Sequence, residues 1–327
     1  MTKLKDIAEL AGVSIPTANQ ILNGYESRFS PATCEKVIKA AEKLSYRPNI
    51  AARSLRYNKS YTIGILFFSG NSQYMSDFMH AVQYALIDHQ YAPIFLTHSD
   101  ENEEKQNLET CLARRVDAFL VNPVISSDGK VCLLDSYKQI KKNGIPIMEI
   151  FGNFIPDVSS FCFEHRKYGF QLTERLVKKG CRKIGFLTHS LMSQSSEDSG
   201  KYWNAWEMWH GYENAVEAYN LQSYIFTHDL ESDTETEGAF YWNTYRIADK
   251  IFSAESALDG IVCFNEEQAL ALVNYGAANG IDLHKFPIAS VGRKSNRILQ
   301  GFPVEEITWP IKQLGHDAVS ALMNKIK

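Results

Sequence analysis

From Tyr61 onward, short continuous apolar runs alternate with helical stretches, and that alternation leaves the body of the chain few ways to fold. The runs are IGILFF (63–68), APIFL (92–96), DAFLV (117–121), IPIMEIF (145–151), SSFCF (159–163), KIGFLT (183–188), GIVCF (260–264) and PIASVG (287–292). Helical spacing fills 76–90, 102–115, 166–180 and 266–279 between them. Strands without polar alternation need cover on both faces, and helical crossovers supply it, so the sheets are expected to be parallel. Eight or more strands over about 230 residues divide better into two doubly wound lobes than into one sheet. Ligands of such sheets sit in the cleft at the carboxyl ends of the strands.

The first sixty residues have another texture. Leu4, Ile7, Ala8 and Ala11 recur at helical spacing, Gly12 stops that helix, and Ser14 can cap a second one. The second helix leaves Pro16, Asn19, Gln20 and Asn23 on one outward face. Such a helical hairpin is either packing for a larger core or a reader of a nucleic-acid groove. A third helix follows over 30–45, with Ser30 as cap, Pro31 in the first turn, and Val37, Ala40, Ala41 and Leu44 along one side. YRPNIAARSLRYNKS (46–60) is too short for a stable isolated helix and is expected to be a linker. The chain therefore divides into an all-α headpiece at 1–46, a hinge at 47–60 and a two-lobed body at 61–327. Within the body, the first lobe is expected at 61–158 and 293–327, and the second at 159–292.

Charge follows the same division. Residues 1–60 hold 10 Lys/Arg against 5 Asp/Glu, so this arm is +5 within a chain of net charge −4, and the rest carries −9. A basic arm on an acidic body suits contact with phosphates, although +5 alone also suits an ordinary solvated surface. The six cysteines lie far apart without a CxxC, as reduced cytosolic residues do, and no window approaches a membrane span or a leader's apolar stretch. A cytoplasmic location is expected.

The chemistry of catalysis is missing from the pattern. There is no GxSxG elbow, Walker loop, GxGxxG after the first strand, HExxH or zinc-spaced Cys/His set. Neither a metal nor a cofactor is expected, and Glu266 and Glu267 at a strand end read as helix-start carboxylates. Trp203, Trp206 and Trp209 share roughly one helical face beside the Ser-rich stretch 189–202, which suits packing or a ligand wall.

The order of parts resembles the lactose-repressor/galactose-repressor (LacI/GalR) family of transcription regulators over nearly the whole length. The resemblance rests on LKDIAELAGVS (4–14), T-x-x-x-I-L-N-G (17–24), YRPNIAARSL (46–55), IGILF (63–67), RRVDAFLV (114–121), NGIPI (143–147), KGCRKIGFL (179–187) and the Asn265–Glu266 pair. It implies a helix-turn-helix headpiece on a periplasmic-binding-protein-like sensor, acting as a homodimer on pseudo-palindromic double-stranded operator DNA. By position, Ile15, Pro16 and Gln20 match base-reading residues; Ser14, Thr17, Asn19, Asn23, Ser30 and Thr33 match backbone contacts. Leu55 matches the leucine that the family wedges into the minor groove. Gln20 stands where the family usually has Arg, and Gln suits adenine where Arg suits guanine.

The same resemblance implies a small-molecule effector between the lobes. Asn122, Asn265 and Glu266 match its polar end, and Phe68, Ser72 and Tyr74 follow the first strand where the pocket loop lies. Four positions depart from the family: Phe151 replaces an acid, Met208 (beside Trp209) an arginine, Lys294 another acid, and Trp309 a polar residue. Fewer acids, an added cation and more aromatics imply a saccharide effector, and an acidic one if Lys294 faces it. The competing reading is a cytosolic α/β solute-binding protein or enzyme that binds no operator.

Overall fold

A computed structural model describes residues 2–22, 25–46, 54, 58–68, 72–126, 129–189, 203–228, 239–253, 258–292 and 302–326, with the backbone alone at 72–74. The chain separates into two units, Met1–Tyr61 and Thr62–Lys327. In the first, α1 (Leu4–Ala11) starts with the Asp6 carboxylate accepting from the Lys3 amide and ends at Gly12. Gly12 has φ +66°, and the Val13 amide turns back to the Ala8 carbonyl, a left-handed cap that a residue with a Cβ adopts only at a cost. Helix α2 (Ile15–Leu22) follows at once, and a short 3-10 turn (Glu26–Arg28) leads to α3 (Pro31–Lys43). Ile7, Ala8, Ala11, Ala18, Ile21, Val37 and Ala40 close a small core among the three helices. Of the expected hinge, only Ser54 and residues 58–60 fall within the described residues.

The second unit begins with β1 (Thr62–Phe68), α4 (Ser72–Asp88), β2 (Ala92–His98), α5 (Glu101–Ala113), β3 (Ala118–Val121), α6 (Leu134–Lys142), β4 (Ile147–Ile150) and β5 (Ser160–Phe161). These strands form one parallel sheet in the order β2-β1-β3-β4-β5. The chain then crosses to α7 (His165–Lys178), β6 (Ile184–His189), α8 (Trp203–Ala218), β7 (Tyr224–His228), α9 (Ala239–Phe252), β8 (Gly260–Cys263), α10 (Glu266–Ala278), β9 (Ile288–Gly292) and β10 (Val304–Thr308). The second sheet is also parallel, in the order β10-β9-β8-β6-β7. The final helix, α11 (Ile311–Met323), returns to the first lobe, where Gly315 lets it approach Phe78 and Ala81 of α4. Its inward residues Ile311, Leu314, Ala318, Val319 and Leu322 repeat at helical spacing.

The strand pairings move both expected lobe boundaries. Ser160 and Phe161 pair with Glu149 and Ile150, so β5 is the edge of the first sheet and not the start of the second lobe. Strand β10 pairs with β9 from Val304↔Ile288 to Thr308↔Gly292, which assigns residues 304–308 to the second lobe. Its sequence, VEEIT, hid it: an edge strand is covered incompletely, so it carries charge where a central strand cannot.

Candidate nucleic-acid interface and effector site

The headpiece is organised by two matching serine caps. Ser14 Oγ accepts from the Thr17 amide at 3.2 Å and shares a hydroxyl hydrogen bond with Thr17 Oγ1 at 2.8 Å. Ser30 repeats both bonds with Thr33 at the start of α3, at 3.2 and 2.8 Å. Ala18 and Ile21 turn inward and are buried, while Ile15 is 46% exposed, Pro16 is exposed, and Thr17, Asn19 and Gln20 are half-buried. The apolar Ile15 therefore stays in water although a core lies one helical face away. Asn23 and Leu55 lie outside the described residues.

In the body, the residues singled out from sequence fall into three places. The first is the carboxyl end of the first sheet, where Phe68 ends β1 and stands edge-on to His98 at 6.4 Å. His98 Nε2 donates to the Asn122 carbonyl at 3.1 Å, just past β3. Beneath it, Glu104 has no exposed surface and accepts from the Tyr137 hydroxyl at 2.5 Å and the Val124 amide at 3.3 Å. Burial raises its carboxyl to about 7, more than those hydrogen bonds lower it. Burial also lowers His98, whose Nε2 stands 3.9 Å from Glu104 Oε1, and so disfavours its charged form there.

The second place joins the lobes. Phe151 follows β4 with φ +61°, unusual for a bulky residue, wedged between Phe78 at 4.8 Å and Phe163 at 5.8 Å. Phe163 in turn stacks on Trp309, with centroids 5.1 Å apart and planes 15° from parallel. The acid of this strand has not vanished but stands two residues earlier: Glu149 is fully buried and accepts from the Phe154 and Ile155 amides at 2.8–2.9 Å.

The third place is the carboxyl end of the second sheet. Asn265 caps α10 by accepting from the Gln268 amide at 3.0 Å, and Glu266 behind it is buried. The Glu306 carboxylate lies over Gly292, occupying the space of a side chain there; burial raises its pKa, and the neighbouring Glu266 carboxylate raises it further. Met208 does not come to this surface. It is fully buried in α8, and its carbonyl packs against Gly169 where α7 and α8 cross. Trp209 is half-buried against His210, with no hydrogen bond to its buried indole nitrogen among the described residues. Side chains at Ser72 and Tyr74, and all of Lys294, fall outside what is described.

Phe163, His165 and Glu306 were not singled out from sequence. SSFCF looked like a continuous strand, and only the crossing of the chain at 162–164 makes Phe163 an interlobe residue. Among the described residues no group of three His, Cys, Asp or Glu side chains is placed to hold a metal, and no helix is long and apolar enough to cross a membrane.

A helix-turn-helix unit joined in one chain to a doubly wound, two-sheet unit defines the class of ligand-responsive transcription regulators. Comparison with known proteins gives the same class. Residues 3–49 match the bacterial regulatory proteins of the lacI family, and residues 60–327 match the periplasmic binding proteins and sugar binding domain of that family. The chain belongs to the lacI family, and is a DNA-binding transcriptional repressor with a ligand-binding domain. The HTH-type transcriptional repressor PurR of Aliivibrio salmonicida (strain LFI1238) is 28% identical over 335 residues, covering 100% of this chain and 93% of that protein. The lac repressor dimer bound to operator and the anti-inducer ONPF superposes with a TM-score of 0.72 at 19% identity, covering 99% of this chain and 92% of that one. A transcriptional regulator CelR–cellobiose complex gives 0.61 at 19% identity, covering 100% and 93%.

Proposed function

We propose that the protein is a cytoplasmic homodimer that reads a pseudo-palindromic operator, and whose affinity is set by a saccharide bound between its lobes. Two headpieces at fixed spacing match a two-fold operator. Ile15, Pro16 and Gln20 face the bases; Ser14, Thr17, Asn19, Asn23, Ser30 and Thr33 hold phosphates; Leu55 wedges the central step. What supports the DNA half is Ile15, kept exposed on a capped helix whose other face is core. An apolar contact and a glutamine favour A·T pairs, through the thymine methyl and the adenine edge. Selection from random duplexes should return half-sites with A·T where Gln20 reads, and Gln20→Arg should shift that position toward G·C. A family-typical site for the wild type would overturn the assignment.

The effector half rests on the aromatic chain Phe151–Phe163–Trp309 between the strand ends, a surface suited to the C–H face of a sugar ring. The remaining site residues are Phe68, Ser72, Tyr74, Asn122, Met208, Trp209, Asn265, Glu266 and Lys294. Met208 contributes through the α7–α8 crossing, not by contact. Lys294 favours an acidic sugar, whereas the Glu266 and Glu306 carboxylates favour neutral hydroxyls at their end. Calorimetric titration with cellobiose and with glucuronic acid separates the two. Operator retardation at two salt concentrations separates a regulator from a solute-binding protein or enzyme, which would show no specific, salt-sensitive complex.

A further inference from the structure

A cavity of about 480 Å³ opens beside the chain crossing at 162–164, and of the residues assigned above to the interlobe effector only Phe163 lines it. Phe163, Phe170 and Trp203 line it together with Arg166, Glu207 and Asn214. The volume falls in the range of small-molecule sites, about 300–1,000 Å³. His165 lines it too, 5% exposed, with Nδ1 lacking a hydrogen-bond partner among the described residues. A buried polar atom without a partner is uncommon in a folded protein and marks a place for a group that supplies one. Rings surround this imidazole edge-on: Trp203 at 5.7 Å and 88°, Phe163 at 6.0 Å and 89°, and Trp309 at 6.2 Å and 87°.

Charge narrows the occupant. Arg166 is held by Glu207 through two bonds, Nε to Oε2 at 2.9 Å and Nη2 to Oε1 at 3.0 Å. Lys167 is held by Glu164 at 2.7 Å. Burial lowers His165 to about 4, so the imidazole is neutral at pH 7, with one nitrogen to donate and one to accept. Both lining cations are thus neutralised by lining carboxylates, and the Cys162 thiol, raised by burial, is uncharged. An ionic ligand would have to break one of these pairs; an uncharged ring leaves both intact.

We propose that this cavity is a second small-molecule site, adjoining the interlobe saccharide surface at Phe163, for an uncharged flat ring compound whose hydrogen-bonding group pairs with His165. Its walls belong to the crossing at 162–164 and to α7 and α8 of the second lobe. Trp203, the first residue of α8 in the second lobe, stands at 6.0 Å and 80° to Phe154, in the first-lobe loop after β4. An occupant thus touches Trp203, whose ring meets the first lobe at Phe154. The two sites share Phe163, whereas Asn214 lines this one alone, so a variant at Asn214 separates them.

Benzimidazole, uncharged at pH 8 and able both to donate and to accept, is the probe; indene has the same outline and neither ability. Titration of the full chain by calorimetry should give saturable benzimidazole binding at least tenfold tighter than indene. His165→Phe should abolish that preference. Asn214→Trp, from an exposed position on α8, should fill the cavity and abolish binding of both, with circular dichroism showing that the variant is folded. Absence of saturable benzimidazole binding, equal affinity for indene, or affinity unchanged in folded Asn214→Trp would each overturn the proposal.

Discussion

Burial shifts Glu104 and His165 toward their uncharged forms, and the two pull stability in opposite directions with pH. The native chain keeps the Glu104 proton up to about pH 7, while an unfolded glutamate releases it near 4.5. Its contribution is therefore whole below pH 4.5 and is lost as pH rises toward 7. At about 1.4 kcal/mol per pH unit, the loss is on the order of 3 kcal/mol. Glu104→Gln should flatten that part of the stability profile relative to wild type in urea unfolding at pH 5, 6 and 7. For His165 the folded value is depressed to about 4 against 6.5, so its contribution is present above pH 6.5 and disappears as pH falls toward 4. Ser14 acts without titrating. Ser14→Ala should cost about 1 kcal/mol of cap and be visible as earlier melting of the headpiece amides in hydrogen exchange.

At the scale of elements, α7 and α8 cross backbone to backbone at two glycines. A Cβ on Gly169 would run into the Met208 carbonyl, and one on Gly211 into the Arg166 carbonyl. In an open helix Gly→Ala is stabilising by about 0.5–1 kcal/mol. Here the opposing atoms are backbone and cannot turn aside, so overpacking of about 1–3 kcal/mol or more wins. Gly211→Ala should therefore lower the melting temperature, and a parallel Gly12→Ala should do so through backbone strain alone, since nothing lies within 4 Å of its Cβ position. Elements with one buried purpose were legible in sequence: β1, β6, β8 and β9 as unbroken apolar runs, α11 as a clean stripe. Elements with mixed duties were not. Strand β7 alternates exposed and half-buried residues at a sheet edge, and α9 exposes Trp242, so neither shows the pattern of a covered element. Among the site residues, the serine caps follow from local spacing and Asn265 from the family resemblance, whereas Phe163 and Glu306 owe their positions to the pairing of β5 with β4 and of β10 with β9.

For the whole molecule, charge separation sets the conditions of function. A headpiece arm of +5 on a body of −9 should make operator binding steeply salt-dependent, and a dimer presents two such arms. Affinity is expected to fall by about 10³-fold or more between 50 and 200 mM salt, as for six or more phosphate contacts. Fluorescence anisotropy across that range checks it, with a flat response counting against an electrostatic arm. Within the body, two described segments carry the chain between lobes, one at 162–164 and one at 309–310. Phe163 sits on one and Trp309 on the other, and their rings are stacked. Two hinge pins tied together should favour turning about a single axis, as a book opens, because sideways shear would have to tear the stack apart. Spin labels placed one on each lobe should report a narrow pair of distances in the wild type and a broad spread in Trp309→Ala. On this view an effector acts on a joint that already favours one kind of movement.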